Sequence, residues 1–331
     1  MAGHTAPVPT GVLLMNLGGP DTVADVEPFL INLFSDREII ELPGGRLLQP
    51  LYARLIARRR APEVRHNYER IGGGSPQLRL TRAQAAALEA RLNRSNGRCV
   101  RTFIAMRYWH PTTEEALEQM DAAGVARIIT LTMYPHYSCA TTGSSESELR
   151  RRLNTPRWRN RFRVDRIVAY FDEPLYIEAL ADTVRRGLDT WPPDRRDQVV
   201  LLFSAHGLPK KFVDRGDPYV HHTEITRNLV LSRLNVPNRH ELAFQSRTGP
   251  VEWIGPGTEE VIEALGREGV RDLLVIPISF VSDHIETLYE VDMLFAEVAR
   301  AAGITTYRRT EALNTHPLFI EALARLVERQ L

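Results

Sequence analysis

The amino-acid sequence predicts an α/β protein made of two similar domains, each a roughly four-stranded parallel sheet flanked by helices. Two observations predict this architecture: short apolar segments alternate with helix-length amphipathic segments along the whole chain, and one helix-turn-strand block occurs twice. Alternation of this kind places helices on both faces of a parallel sheet. Ligands of such sheets bind beyond the carboxyl ends of the strands, so the loops that follow the apolar segments are the candidate binding loops.

Eight short apolar segments that end at turn residues predict the strands. They are residues 11–17, 101–106, 127–133, 163–168, 199–205, 241–244, 272–280 and 305–308. The amphipathic segments predict helices over residues 113–123, 174–189, 258–267 and 286–302, among others.

An internal repeat predicts the duplication. The segment TEEALEQMDAAGV, which begins at Thr113, aligns without gaps on TEEVIEALGREGV, which begins at Thr258, and the next strand and loop align at the same spacing. The alternative is a chance similarity between two strand-helix units. We place the first domain at residues 1–172 and the second, with the terminal helix, at residues 173–331.

The composition excludes several classes of protein. The 331 residues include 42 Lys plus Arg against 41 Asp plus Glu, so a net charge of +1 provides no general attraction for nucleic acid. Two cysteines, Cys99 and Cys139, are too few for a disulfide framework or a four-thiolate zinc site. Residues 1–11 do not show the charged and apolar regions of a secretory leader, and no apolar stretch approaches the ~18 residues that span a bilayer. We expect a cytoplasmic protein, and peripheral contact with a membrane surface stays open.

The motif SAHGLP places His206 directly after a predicted strand and before a glycine that allows a sharp turn. An imidazole at this position is presented to a ligand, and its ordinary pKa of ~6.5 suits proton transfer or metal binding near neutral pH. The alternative is a histidine whose ring only fixes the loop.

The motif SDHIETLYEVD follows another predicted strand and opens a predicted helix. Asp283, Glu286 and Glu290 lie three and four residues apart, which predicts one acidic helix face beside His284. Carboxylates and imidazole together suit a divalent metal such as Fe²⁺. The alternative is an ordinary capping box, in which Ser282 or Asp283 pairs with Glu286.

Two other segments also have two interpretations. The loop at residues 133–145 concentrates tyrosine, histidine and hydroxyl side chains, which suits a pocket wall or, alternatively, a helix N-cap. Residues 29–34 and 47–56 are rich in Leu, Ile and Phe and precede Arg58, Arg59 and Arg60. They predict an apolar lip against lipid or, alternatively, helices that pack on the first sheet. The motifs of phosphate-binding loops, zinc proteases and acyl-transfer serines are absent.

The motifs together resemble those of the ferrochelatase family and occur in the family's order. They are LLMNLGGP (residues 13–20), ERIGGGSP (69–76), RYWHP (107–111), YPHYSCATTGSS (134–145), SAHGLP (204–209), RGDPY (215–219), QSRTGP (245–250) and SDHIETLYE (282–290). The resemblance implies two Rossmann-like domains with a porphyrin cleft between them. It also implies an enzyme that inserts Fe²⁺ into protoporphyrin IX with release of two protons, the last step of haem biosynthesis.

The resemblance implies a role for each matching residue. His206 and Glu286 are the expected catalytic residues and the expected iron site. The expected path for protons or iron consists of Asp283, His284 and Glu290. The expected porphyrin pocket consists of Leu17, Arg107, Tyr108, Tyr134, Trp253 and Phe280. The candidates for holding the porphyrin propionates are Arg59, Arg60, Tyr68 and Ser75, since arginine pairs well with carboxylates.

The chemistry explains these residue types. Metallation removes two pyrrole protons and admits one cation, so the site must accept protons, deliver iron and grip the ring. Iron enters as a substrate, and no organic cofactor is required. Some relatives carry a [2Fe–2S] cluster on a cysteine-bearing extension, and we expect none here. A monomer or a homodimer is expected. The rival functions are a chelatase for coproporphyrin III or sirohydrochlorin and a non-catalytic porphyrin or haem carrier.

Overall fold

The computed structural model of the protein describes residues 9–42, 45–94, 99–249 and 251–331. Pro250 of the QSRTGP motif and residues 1–8 of the expected first domain therefore lie outside the described residues.

Eight strands form two parallel sheets of the same topology. The first sheet has the order β2-β1-β3-β4 and the second has the order β6-β5-β7-β8. All pairings are parallel. The strands are β1 Thr10–Asn16, β2 Val100–Met106, β3 Arg127–Thr132, β4 Arg163–Ile167, β5 Val200–His206, β6 His240–Gln245, β7 Asp272–Pro277 and β8 Thr306–Arg309. The predicted fold class is confirmed.

Eleven α-helices in the described part of the chain flank the sheets. They are α1 Val26–Ser35, α2 Gly45–Arg70, α3 Gln77–Leu92, α4 Thr113–Ala122, α5 Ser144–Leu153, α6 Pro174–Leu188, α7 Lys210–Asp214, α8 Tyr219–Leu234, α9 Thr258–Arg267, α10 Phe295–Ala301 and α11 Pro317–Glu328. Two segments are π-helical, Cys139–Gly143 and Glu286–Leu294, and each follows the third strand of its half.

The repeated block begins both of its helices in the same way. In α4, the Glu115 carboxylate accepts a hydrogen bond from the backbone N–H of Thr112. In α9, the Glu260 carboxylate accepts one from the backbone N–H of Gly257 at 2.8 Å. Because each bond satisfies an N–H group that the helix itself leaves free, the block specifies both helix starts locally.

Two predicted elements differ from the structure near the candidate site. The strand predicted over residues 272–280 ends at Pro277. Beyond it, the Ile278 N–H still donates to the Ser204 carbonyl at 3.0 Å, and then Ser279 and Phe280 leave the sheet. The helix predicted over residues 286–302 is present, but its first nine residues are π-helical.

One apolar core extends through both halves. Val12 and Ile104 of the first sheet belong to the same buried cluster as Phe203 and Ile276 of the second sheet. Helix α11, at the end of the chain, packs against both α3 and α6 and contributes Phe319 to this cluster. Because the core is shared, the domain boundary between residues 172 and 173 stays a prediction.

Helices α1 and α2 form a separate layer beside the first sheet. Helix α2 buries Ala53, Ala57 and Ala61, one per turn, against the apolar side chains of α1. The first half of α2 also carries leucines that are exposed, at positions 47, 48, 51 and 55. In the described ranges, no helix combines the length and the apolar character that crossing a membrane requires.

Candidate active site

His206 and Glu286 meet as the sequence predicts. His206 is the last residue of β5, and Glu286 is the first residue of the second π-helical segment. The His206 Nδ1 atom lies 2.8 Å from Glu286 Oε2, and the two side chains remain 39% and 24% exposed. With Nδ1 bonded to the carboxylate, the other ring nitrogen of His206, Nε2, is the one available to a ligand.

The two groups change each other's ionisation. Burial by itself would lower the pKa of His206, but the charge and hydrogen bond of Glu286 outweigh it and the pKa is raised overall. Burial would raise the pKa of Glu286, but His206 and His284 lower it well below its ordinary value. The structure therefore favours a carboxylate at Glu286 and stabilises the imidazolium form of His206.

Glu290 lies on the same side of the π-helical segment as Glu286. Ser246 donates to its carboxylate from the backbone N–H, at 2.8 Å, and from the hydroxyl, and Gln245 Nε2 donates at 3.1 Å. Burial and the nearby Glu286 charge nevertheless raise the pKa of Glu290. Glu290 therefore takes up a proton more readily than an ordinary carboxylate.

His284 and Phe280 complete this group of side chains. His284 Nδ1 lies 3.1 Å from the Ser282 carbonyl, which can only accept, so this nitrogen carries a proton. The other ring nitrogen lies 3.7 Å from Glu286 Oε2. The Phe280 ring centroid is 4.4 Å from that of His284 and 6.3 Å from that of His206. Four predicted site residues besides Glu290 thus lie together.

Asp283 does not join the acidic face that its spacing predicts. Its carboxylate bonds Arg309 Nη1 at 3.0 Å and Asn314 Nδ2 at 3.0 Å. It borders a surface cavity of about 510 Å³ that Arg309, Asn314 and His316 also line. The spacing rule fails because Asp283 precedes the helix, whose first residue is Glu286.

The predicted capping box is also not formed, since no side chain caps the N-terminus of this segment at Ile285. Thr287 takes a related position, because its hydroxyl accepts from the His284 N–H at 3.0 Å and donates to Asp283 Oδ1 at 3.2 Å. Glu286 is thereby left available for His206.

Arg107 and Tyr108 are bound to Asp36, which sequence reasoning did not single out. Arg107 Nη2 and the Tyr108 hydroxyl each donate to Asp36 Oδ2 at 2.7 Å, and the Ser144 hydroxyl donates to the same atom. Burial would raise the pKa of Asp36, but Arg107 and these hydrogen bonds lower it overall. The charge of Arg107, a predicted pocket residue, is therefore paired with Asp36 within the protein.

Tyr68 and Tyr108 belong to one buried apolar cluster, and Leu17 and Ile285, which precedes Glu286, pack against it. Burial raises the pKa of Tyr68, and the Glu286 charge adds to this shift. The first half of the chain therefore provides an apolar wall beside Glu286.

Ser75 and the Tyr68 hydroxyl both lie close to Gly19. A Cβ atom added to Gly19 would lie 2.6 Å from Ser75 Oγ and 3.5 Å from the Tyr68 hydroxyl, so only glycine allows this approach. Arg59 and Arg60 lie elsewhere on α2, eight or nine residues before Tyr68. At the helical rise of ~1.5 Å per residue, the separation along the axis is ~12–14 Å. The four propionate candidates thus occupy two places.

Trp253 and Tyr134 lie at two other places. Trp253 packs beside Gly207, where an added Cβ atom would lie 3.1 Å from its ring and 2.7 Å from the Gln245 carbonyl. The Tyr134 hydroxyl is buried and has no hydrogen-bond partner among the described residues. Trp253 is therefore adjacent to His206 in space. Tyr134 makes no hydrogen bond or ring contact with His206 or Glu286 in the described part of the chain.

Three residues that the sequence analysis did not assign to the site hold predicted site residues in place. Gln245 and Ser246 hold Glu290, and Asp36 holds Arg107 and Tyr108. The QSRTGP motif and Glu290 were both noted in the sequence. Their contact could not be predicted, because they lie more than 40 residues apart in the chain. Within the described ranges, no group of three or more His, Cys, Asp or Glu side chains is arranged to hold a metal ion.

The ferrochelatase family model matches residues 9–331 of the chain. The chain belongs to the ferrochelatase family. It is 53% identical over 323 residues to the ferrochelatase of Geotalea uraniireducens, which covers 98% of both chains. It is 52% identical over 320 residues to that of Geobacter metallireducens, covering 97% of this chain and 98% of the relative. It is 48% identical over 318 residues to that of Synechocystis, covering 96% of this chain and 81% of the relative.

Solved structures show the same fold at low sequence identity. SirB from Bacillus subtilis has a TM-score of 0.55 and 13% identity, covering 97% of this chain and 95% of SirB. DR2241 from Deinococcus radiodurans, described as structurally similar to chelatases, has a TM-score of 0.55 and 14% identity, covering 96% of this chain and 55% of that protein. Family membership confirms the expectation of a ferrochelatase-type enzyme, one that inserts iron into a porphyrin for haem synthesis.

Proposed function

We propose that His206 and Glu286 form the site at which this ferrochelatase exchanges Fe²⁺ for the two pyrrole protons of protoporphyrin IX. The observation that carries the proposal is the 2.8 Å contact between His206 Nδ1 and Glu286 Oε2, with both side chains still partly exposed. In neutral His206, Nδ1 donates its proton to the Glu286 carboxylate, so Nε2 has the free lone pair and is the base directed at the substrate. Once Nε2 has taken a proton, the carboxylate stabilises the protonated ring. Fe²⁺ enters as the substrate cation, and no organic cofactor takes part.

Glu290 is proposed as the second proton acceptor. Two protons leave each porphyrin, and His206 accepts only one at a time. The raised pKa of Glu290 suits the uptake of a proton, and its hydrogen bonds to Gln245 and Ser246 hold the carboxylate near Glu286. The Thr287 hydroxyl, which accepts from the His284 N–H and donates to Asp283, links His284 to Asp283. Asp283, which is bound to Arg309, is proposed at the outer end of the path, beside the surface cavity.

The apolar and aromatic side chains around the pair suit a flat macrocycle. Leu17 and Tyr108 lie on the side of the first sheet, and Phe280 and Trp253 lie on the side of the second. Tyr134 is proposed as a more remote part of this pocket. The predominance of apolar walls favours protoporphyrin IX over sirohydrochlorin, which carries many carboxylates and requires more cationic partners.

Two sets of residues are proposed to hold the propionates. Tyr68 and Ser75 provide hydroxyl groups near Gly19, close to the apolar wall. Arg59 and Arg60 lie farther along α2, toward the exposed leucines. Arg107, a predicted pocket residue, is proposed to support Tyr108, because both bind Asp36.

The exposed leucines of α2 are proposed to contact a membrane surface. Leu47, Leu51 and Leu55 are 92%, 62% and 64% exposed, although their burial against core residues would be favourable. They are flanked by the arginines of residues 58–60, which suits anionic headgroups. Contact of this lip with lipid would place the enzyme at the membrane, where an apolar porphyrin is dissolved.

The experiment that tests the catalytic proposal is anaerobic metallation of protoporphyrin IX with Fe²⁺, or with Zn²⁺ as a surrogate, followed by the loss of free-base porphyrin absorption. We expect turnover by the wild-type enzyme and none by His206→Ala, whose fold is checked by circular dichroism. His110→Ala, which removes an exposed histidine bound to Glu115, is the matched control and should keep the wild-type rate.

Substantial turnover by His206→Ala would overturn the assignment of His206. Stoichiometric porphyrin binding by the wild-type protein without turnover would instead favour a carrier. Faster metallation of coproporphyrin III than of protoporphyrin IX would change the substrate and leave the catalytic residues as assigned.

A further inference from the structure

The backbone of His206 is paired with Gln245 of β6 on one side, but on the other side it extends beyond the end of β7. Strand β5 pairs with β7 only up to Ser204, which lies opposite Pro277. The N–H and C=O groups of one residue in a strand point to the same side, so those of His206 point to where β7 has already ended. Buried backbone groups of this kind require other partners.

Two side chains take the place of the missing strand. The His206 N–H donates to Ser279 Oγ at 2.9 Å, and the Tyr219 hydroxyl donates to the His206 carbonyl at 2.9 Å. Tyr219 is buried at the N-terminus of α8, and Ser279 is half-buried just beyond β7. We propose that Tyr219 and Ser279 are positioning residues, which hold the backbone of His206 and thereby set its contact with Glu286.

The RGDPY motif explains how Tyr219 is itself held. Asp217 Oδ1 accepts from the Tyr219 N–H at 3.0 Å. Its other oxygen accepts from the Ser138 hydroxyl at 2.9 Å and from the Cys139 N–H at 2.7 Å, both in the first half of the chain. His136, from the same loop, packs edge-on against the Tyr219 ring at 6.0 Å. The support of His206 therefore reaches across both halves.

This arrangement has a consequence for the reaction. Glu286 is fixed by the π-helical segment, and His206 is fixed by Tyr219 and Ser279, so the two catalytic groups are placed by separate supports. Because a displacement of ~1 Å costs as much as ~100-fold in rate, loosening one support should reduce turnover without weakening porphyrin binding. The inference rests on the proposed roles of His206 and Glu286.

The experiment compares two tyrosines in the full-length enzyme. Tyr219→Phe removes the hydroxyl that holds His206. Tyr176→Phe is the matched control, because Tyr176 is equally buried and its hydroxyl donates to another backbone carbonyl, that of Ile278, at 3.2 Å. Metallation of protoporphyrin IX with Zn²⁺ gives kcat and KM, and thermal unfolding gives Tm for each variant.

For Tyr219→Phe we expect a loss in kcat of about tenfold with KM for the porphyrin changed less than about twofold. Tyr176→Phe should lower Tm by a similar amount and keep the wild-type kcat. Ser279→Ala should reproduce the loss in kcat. The double variant should lose less than the product of the two single losses, because both side chains hold one residue.

A wild-type kcat in Tyr219→Phe, or an equal loss in Tyr176→Phe, would overturn the inference. If Tyr219→Phe does not fold, the kcat of Ser279→Ala decides the question in the same way. Failure of the proposed function is distinguishable, since the wild-type enzyme would then show no turnover that depends on His206.

Discussion

The contact between His206 and Glu286 makes the ionisation of each residue depend on the other. At 2.8 Å, a carboxylate favours the protonated imidazole by charge and by hydrogen bond together. A base with a raised pKa holds an abstracted proton better, but it is neutral and ready only at higher pH. The pH dependence of turnover therefore reports on this contact.

Glu286→Gln should lower the rate of metallation by about 100-fold and shift its pH profile. As the proposed base, His206 must be neutral, so the activity of the wild-type enzyme should rise as the pH passes the raised pKa of His206. Without the carboxylate, burial dominates and the pKa of His206 falls. The acidic limb of kcat should therefore move to lower pH, measured with Zn²⁺ and protoporphyrin IX across about pH 5–9.

Glu118→Gln is the matched control for this profile, because Glu118 is exposed and binds only a surface arginine, Arg157, in the described hydrogen bonds. This variant should keep the wild-type rate and the wild-type acidic limb of the pH profile. An acidic limb that stays in place in Glu286→Gln would show that another group, such as Glu290, sets the pH dependence.

At the scale of elements, α2 combines two environments in one helix. Its alanines at positions 53, 57 and 61 are buried against α1, whereas its leucines at positions 47, 51 and 55 are exposed. A helix packed on one face only contributes little stability through its other face. The exposed leucines can therefore be changed without loss of the fold.

The triple substitution Leu47→Ser, Leu51→Ser and Leu55→Ser should weaken binding to vesicles of anionic phospholipid by about tenfold or more, because each buried leucine side chain contributes ~1.5–3 kcal/mol. The free energy of unfolding should change by less than about 0.5 kcal/mol per position. Cosedimentation with the vesicles measures binding, and urea denaturation measures stability.

Leu229→Ser is the control, since Leu229 is an exposed leucine on α8, away from the lip. It should bind vesicles as the wild-type protein does. Equal binding by the triple variant and the wild-type protein would reject the lipid contact and favour the alternative role of these helices in packing.

Strands and helices were predicted well where the spacing of apolar residues is regular. All eight predicted strands are present with ends within three residues of the prediction, because a buried parallel strand is a short apolar run with turn residues at its end. The π-helical segment Glu286–Leu294 was not predicted, since its wider turn has no distinct apolar period over nine residues. The predicted position of Asp283 was wrong because Asp283 lies before this segment, where it binds Arg309 and Asn314.

At the scale of the whole molecule, α11 joins the two halves. Arg91 of α3 binds Glu321 of α11 through Nε at 2.6 Å and Nη2 at 2.9 Å, and its Nη1 binds Glu328 at 3.2 Å. The Arg91 side chain is 24% exposed. Together with the shared apolar core, this contact predicts that both halves unfold in one transition.

Arg91→Met should lower the free energy of unfolding by about 1–3 kcal/mol, because it leaves two partly buried carboxylates without their cation. Urea denaturation, followed by circular dichroism, should still show a single transition. Arg325→Met is the matched control: Arg325 contacts the same Glu321 within α11, at 3.5 Å and with 54% exposure, and should cost less than about 0.5 kcal/mol. Equal losses in both variants would show that the contact between α3 and α11 adds nothing.

The sequence by itself determined the α/β class and the order of strands and helices along the chain, and it singled out His206, Glu286 and Glu290 as candidate site residues, because these depend on local periodicity and on motifs at strand ends. Only the tertiary structure decided which partners hold the candidate site residues. Asp283 binds Arg309 and Arg107 binds Asp36, whereas Ser246 binds Glu290 and Tyr219 binds the backbone of His206. Such contacts join residues far apart in the chain, and their geometry follows from how the sheets end and how the halves pack.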